Sequence, residues 1–398
     1  MTSNRQLFLQ YLAQTSDFPL MLEVESAEGI YIHDPHGKAY VDLIAGVSVS
    51  NLGHKHPAVV RAVKEQADKH MHLMVYGEYV QAPQVRFAHA LADLLPGSLN
   101  SVYFVNSGSE ATEGAMKLAK RYTGRNEIIS FQKAYHGSTQ GALSIIGSEA
   151  YRNAFRPLIP GIRQLNFNEQ SQFDQISENT ACVVAEPIQA EAGVVLPGEG
   201  YLQRLRQRCN ETGALLVFDE AQTGFGRTGS LFAFQQYGVI PDILLLAKSL
   251  GGGLPLGAFI ASGEIMASLK NSPALGHITT FGGHPLSCAA GLAAFQVLLE
   301  CRLTDEVPEK EQLVRSCFAG PGIREVRGKG LLLAVQLDSH EQVRKVISKA
   351  LEEGLILDWF LFCDSALRLA PPLIITMEQL GEACSRLKGI IIEVSGRS

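Results

Sequence analysis

At 398 residues with a formal net charge of −6, the chain is too long for one small core and lacks the basic surface that a nucleic acid or an anionic membrane requires. Hydrophobic residues make up 46% and charged residues 19%, the balance of a folded globular protein rather than of a disordered or coiled-coil one. Seven scattered cysteines without a C-x-x-C pair, a start from Met1 to Gln10 without leader composition and no apolar run of membrane length predict a cytoplasmic protein with small-molecule partners, no nucleic acid, no membrane and no metal.

In chain order, the first expected element is a hairpin over 29–43, turning at Pro35-His36-Gly37-Lys38. Its strands suit either lobe, and we assign residues 1–50 to the smaller one. Short apolar runs at 101–105, 127–131, 182–185, 215–218, 243–246 and 258–261 read as buried strands, and segments 111–122, 200–212 and 231–237 have helical periodicity. Strand and helix in alternation predict an α/β fold in which a large domain, 51–285, wraps helices around a mostly parallel sheet. After Pro285 the pattern changes to a smaller α+β domain, 286–398. It holds an Ala- and Leu-rich helix at 286–299, a tight turn at Arg327-Gly328-Lys329-Gly330, a strand at 331–337, and helices at 341–353 and 377–394. Trp359-Phe360-Leu361-Phe362 fits a strand of that domain's core better than a channel wall.

Four motifs fall at strand ends, where open α/β sheets bind ligands. Val105-Asn106-Ser107-Gly108-Ser109-Glu110-Ala111 runs from strand to helix start, so Ser107, Gly108 and Ser109 can meet a phosphate at the positive end of the helix dipole. The same residues can equally form a plain N-cap, with Ser109 capping. Ala134-Tyr135-His136-Gly137 offers an aromatic ring for stacking, or simple packing. Val217-Phe218-Asp219-Glu220 ends a strand on a carboxylate that needs a cationic partner; a Mg²⁺ role would call for a phosphate loop, which the sequence lacks. Lys248, in Leu246-Ala247-Lys248-Ser249-Leu250-Gly251-Gly252-Gly253, follows an apolar strand directly. Desolvation there favours the neutral amine that forms Schiff bases, the alternative being a surface lysine at a loop mouth. His54 and His56 lack a third metal ligand and fit a loop that shapes an entrance.

A lysine paired with an aspartate for a pyridinium nitrogen recurs in pyridoxal-phosphate (PLP) sites. With Gly53-His54-Lys55-His56-Pro57, Glu186-Pro187-Ile188-Gln189-Ala190-Glu191-Ala192-Gly193, Thr279-Thr280-Phe281-Gly282-Gly283 and Arg368-Leu369-Ala370-Pro371-Pro372-Leu373, the chain resembles class III aminotransferases over nearly its whole length. That is the fold type I PLP group of the acetylornithine, ornithine and 4-aminobutyrate enzymes. The resemblance implies that Lys248 forms the Schiff base with PLP and shuttles the proton, and that Asp219 holds the ring nitrogen. It further implies that Gln222 contacts the ring hydroxyl, Tyr135 stacks on the ring, Ser107, Gly108 and Ser109 hold the phosphate, and Glu186 lies beside the cofactor. Thr280 would reach the phosphate of a neighbouring subunit, making a homodimer with shared sites. Arg368 would grip a substrate carboxylate, with Glu191 as its resting partner, in a ping-pong transfer from an amino acid or ω-amine to a keto acid, 2-oxoglutarate.

The chain departs from the family at the substrate end. Ser138 stands where acetylornithine and 4-aminobutyrate enzymes carry an arginine, and Val47 where ornithine enzymes place a tyrosine. Ala221 replaces a valine beneath the ring. Racemases of amino-acid amides and lactams share the fold and the Tyr-His-Gly-Ser segment, so an isomerase is the alternative enzyme. A PLP-binding protein without turnover is the third reading.

Overall fold

The computed structural model describes residues 3–75, 77–320 and 322–396; Met1 and Thr2, where the segment read for a leader begins, lie outside them. A seven-stranded sheet forms the centre, in the order Ser101–Val105, Gly257–Ala261, Ile243–Leu246, Leu215–Asp219, Thr180–Ala185, Glu127–Phe131, Ile162–Leu165. Gly257–Ala261 runs opposite to the other six strands. The four strands Thr180–Ala185, Leu215–Asp219, Ile243–Leu246 and Gly257–Ala261 are buried at every position, which is why they read as unbroken apolar runs instead of alternating ones. Alternation survives in where the side chains go. Leu244 and Leu246 join one core, while Ile243 and Leu245 join a second on the opposite face, beneath the helix Gly108–Thr123.

The smaller lobe is an antiparallel sheet of Glu325–Lys329, Leu332–Gln336, Cys363–Leu369 and Asp358–Phe360, covered by the helices His340–Glu352 and Met377–Ser395. Residues 327–329, expected in a turn, are strand, and the reversal falls at Gly330 with φ 59°. Near the N-terminus, Tyr31–His33 and Ala39–Asp42 form the expected hairpin, and Ala39–Asp42 pairs in parallel with Leu355–Ile356. The N-terminal segment thereby touches the C-terminal third of the chain.

The helix Pro285–Glu300 is apolar on all sides because it is packed on several. Against it lie the helices Pro57–Lys69 and Ala82–Ala92 and the turn Lys248–Gly251. A Cβ on Gly291 would fall 2.2 Å from the Leu250 carbonyl oxygen, so glycine is what lets this helix press on the turn that begins with Lys248. All three of these neighbours come from the chain before Pro285.

Arg227 ties the pieces together. Fully buried, it donates through Nη1 to the carbonyls of Leu331 (3.0 Å) and Pro371 (2.5 Å), and through Nη2 to Asn51 Oδ1. One guanidinium thus joins the segment after the hairpin, the large lobe and two loops of the small lobe. Burial lowers its pKa to about 9, against the opposing charge of Asp42. Arg227→Ala strands several buried acceptors and opens a void, so urea unfolding should show a loss of about 3 kcal/mol or more. A loss under about 1 kcal/mol would show that the lobes are held by other contacts.

Candidate active site

The parallel strands Glu127–Phe131, Thr180–Ala185, Leu215–Asp219 and Ile243–Leu246 release their chains at one edge of the sheet. There they border a cavity of about 380 Å³, whose wall includes Ser107, Gly108, Ser109, Tyr135, Glu186, Asp219, Gln222 and Lys248. The fold thus gathers eight expected residues from five separate stretches of chain.

Lys248 follows its strand by two residues and opens the turn Lys248–Gly251 at φ 52°, a left-handed conformation that costs a non-glycine residue about 1–2 kcal/mol. Burial is the main cause that brings its amine down to about 8, opposed by the charge of Glu191. At neutral pH a useful fraction of the amine is therefore uncharged.

Asp219 ends its strand almost buried. Its Oδ1 accepts from the Ala221 N–H at 3.0 Å, and its Oδ2 lies 2.8 Å from His136 Nδ1. Burial pushes His136 down, but the hydrogen bond and charge of Asp219 more than offset it and raise the pKa. This imidazole is the close partner that the buried strand-end carboxylate finds within the fold; no spacing in the sequence links positions 136 and 219. Beside them burial lifts Glu186 to about 8 despite the nearby His136, so its carboxyl is mostly protonated at neutral pH while accepting from the N–H groups of Tyr135 and Ala190.

The helix start is capped by Ser107, whose Oγ accepts from Glu110 N at 3.1 Å, rather than by Ser109. Ser109 Oγ instead accepts from Ser138 N at 3.2 Å. A Cβ on Gly137 would lie 2.1 Å from Ser109 Oγ, so this glycine allows the Tyr135–Ser138 loop to close on the helix start. First-turn N–H groups lack helical acceptors, and together with two serines they form a small, positive cradle for a phosphate. The cradle, a lysine near its neutral form and a fixed carboxylate sharing one cavity fit PLP.

Behind the cavity wall, Arg368 on the strand Cys363–Leu369 meets Glu191 through two parallel bonds of 2.9 Å. Burial raises the Glu191 carboxyl, but the guanidinium outweighs it and holds the acid at about 2. Gln222 bridges to the pair, donating to Glu191 Oε1 (2.9 Å) and accepting from Arg368 Nη1 (3.1 Å), so its amide faces that ion pair as well as the cavity. Other expected residues fall outside the cavity's lining. Ser138 is exposed, and Val47 is half-buried at φ 63° while Val49 lines the cavity instead. Thr280 is exposed and outside the cavity's lining. His54 pairs with Asp42 at 2.8 Å and His56 caps the helix Pro57–Lys69, while Trp359 is exposed and Phe360 buried. Among the described residues no helix is long and apolar enough to cross a membrane.

The family description "Aminotransferase class-III" matches residues 11–391. Acetylornithine aminotransferase of Methanopyrus kandleri is 40% identical over 96% of this chain and 97% of its own. An ornithine aminotransferase structure from Toxoplasma gondii, with partial occupancy of PLP at its active site, superposes with a TM-score of 0.91 at 30% identity, covering 100% of this chain and 96% of that one. The omega transaminase of Pseudomonas jessenii in complex with PMP gives 0.92 at 25% identity, with full coverage of both. The chain belongs to the class III aminotransferases and is a PLP-dependent enzyme of fold type I that acts on small-molecule amino donors and keto acids.

Proposed function

We propose that the enzyme takes its amino group from an ω-amine of the acetylornithine or ornithine kind and passes it to 2-oxoglutarate in a ping-pong exchange. The observation that carries this reading is the buried Arg368–Glu191 pair, bridged by Gln222 to the cavity that Lys248 enters. A carboxylate-binding arginine that is covered by a carboxylate can serve two substrates in turn. The donor class is supported by the relatives named acetylornithine aminotransferase. A cytoplasmic homodimer belongs to the same proposal: the seven cysteines are free, and Thr280 is exposed, as a residue serving a second copy's phosphate would be.

PLP supplies an electrophilic aldehyde and a ring that accepts electrons. Ser107, Gly108 and Ser109 would hold its phosphate, Tyr135 one ring face and Asp219 the ring nitrogen, with Gln222 and Glu186 at the edges. Lys248 Nζ, poised near 8, would take the proton from the donor's amine-bearing carbon and deliver it to the cofactor's former aldehyde carbon. Asp219, fixed from both sides by Ala221 and His136, holds a proton on the ring nitrogen. Glu191 covers Arg368 while a donor without a carboxylate at that end reacts; turned aside, it opens the fork to the keto acid's α-carboxylate.

Two outcomes test this. Protein stripped of PLP should recapture it at a rate that climbs to about pH 8 and then levels, because Lys248 attacks only after losing its proton and burial sets that loss near 8. Capture followed by visible absorbance that still climbs steeply between about pH 9 and 10 would contradict an activated lysine. Arg368→Ala should raise the 2-oxoglutarate KM on the order of 30-fold or more and leave the half-reaction with an ω-amine within about threefold. An unchanged KM would remove Arg368 from acceptor binding.

A further inference from the structure

Arg368 has five N–H donors, and each meets an acceptor. Two go to Glu191 and one to Gln222 Oε1; Nε donates to Asp358 Oδ1 at 3.0 Å and Nη2 to the Trp359 carbonyl at 3.2 Å. The guanidinium also lies over the Phe360 ring, 4.6 Å from its centroid. Three consecutive residues of one strand, Asp358–Phe360, therefore hold the side of the arginine that Glu191 does not.

The two carboxylates on this arginine are held differently. Glu191 comes from the irregular stretch after the strand Thr180–Ala185, and besides Arg368 and Gln222 it accepts from the Leu361 N–H at its side chain and from the Phe362 N–H at its carbonyl. Asp358 sits opposite Arg368 in the antiparallel register of the small sheet, where directly facing residues stay neighbours. A shift in register between Trp359 and Phe360 turns the Trp359 carbonyl towards the same guanidinium. The backbone of Asp358 is thus fixed opposite Arg368 by a strand pair, whereas that of Glu191 lies in a turn.

Resting on the reading of Arg368 as the acceptor's anchor, we propose that Asp358 is a positioning residue that keeps the Arg368 fork aimed into the site when Glu191 has turned away. An unbraced arginine would lose orientation on losing Glu191, and the incoming carboxylate would have to order it again. The brace therefore acts on acceptor binding and leaves the donor step alone.

The test uses holoenzyme in single turnovers. Enzyme first converted by an ω-amine is mixed with 2-oxoglutarate, and return of the PLP absorbance gives the half-saturating concentration and the maximal rate. Asp358→Ala should raise the half-saturating concentration on the order of tenfold with the maximal rate within about twofold. Asp358→Asn, which keeps an oxygen acceptor for Nε, should recover most of that loss, and neither variant should change the reaction with an alkyl monoamine that lacks a carboxylate. Wild-type saturation in Asp358→Ala, or an equal loss in the monoamine reaction, overturns the brace. Arg368→Ala run alongside separates the two ideas: if it too saturates like wild type, the anchor reading fails, and if it alone is impaired, only the brace fails.

Discussion

Charge taken out of water has to be answered by charge nearby, and the edge of the central sheet concentrates that demand. Glu186, Glu191, Lys248, Arg368 and His136 stand with Asp219 in one neighbourhood, where burial and the neighbouring charges together shift each of the five. His136 is raised by Asp219, Glu191 is lowered by Arg368, and Glu186, with its two amide donors, takes up a proton instead. Lys248 is opposed on one side by Glu191 and supported on the other by Arg368 in its descent to about 8. Burial does most to bring the lysine towards its neutral form, and the neighbouring charges adjust it in both directions.

The set is assembled across lobes. Lysine, aspartate and phosphate cradle come from the large sheet, whereas Arg368 and its strand come from the small one. Arg227 and the close packing of Gly193, where a Cβ would lie 2.7 Å from Cys363 Sγ, keep the two in register. Glu191 sits two residues before that glycine, so its carboxylate hangs from a stretch whose far end is wedged against the small lobe.

Much of this was legible in sequence because burial on both faces leaves an unmistakable mark. The strands at 101–105, 127–131 and 243–246 coincide with the observed ones, and those at 182–185, 215–218 and 258–261 fall short by one or two residues. The misses arise where a distant group decides. The helix expected at 231–237 shrinks to Phe234–Tyr237 because the buried Glu220 carboxylate takes the N–H groups of Ala233 and Phe234 and fixes its start there. Gly328 suggested a turn, yet a Cβ there would fall 2.2 Å from the Leu332 carbonyl oxygen, so its glycine answers a close approach inside a hairpin. His136 and Asp358 escaped notice for a related reason: one meets its carboxylate across 83 positions, the other meets its arginine across a strand pair. The motif residues Lys248, Asp219, Glu191 and Arg368 were legible only through the family resemblance and their place at strand ends.

The backbone at Lys248 bends in the sense that suits glycine. A campaign that enriches variants solely for heat resistance would therefore find an easy gain in discarding the amine proposed to hold the cofactor, since a glycine there relaxes the bend and removes a buried amine. Durability and turnover pull in opposite directions at this residue, and any library built on this scaffold should hold it constant.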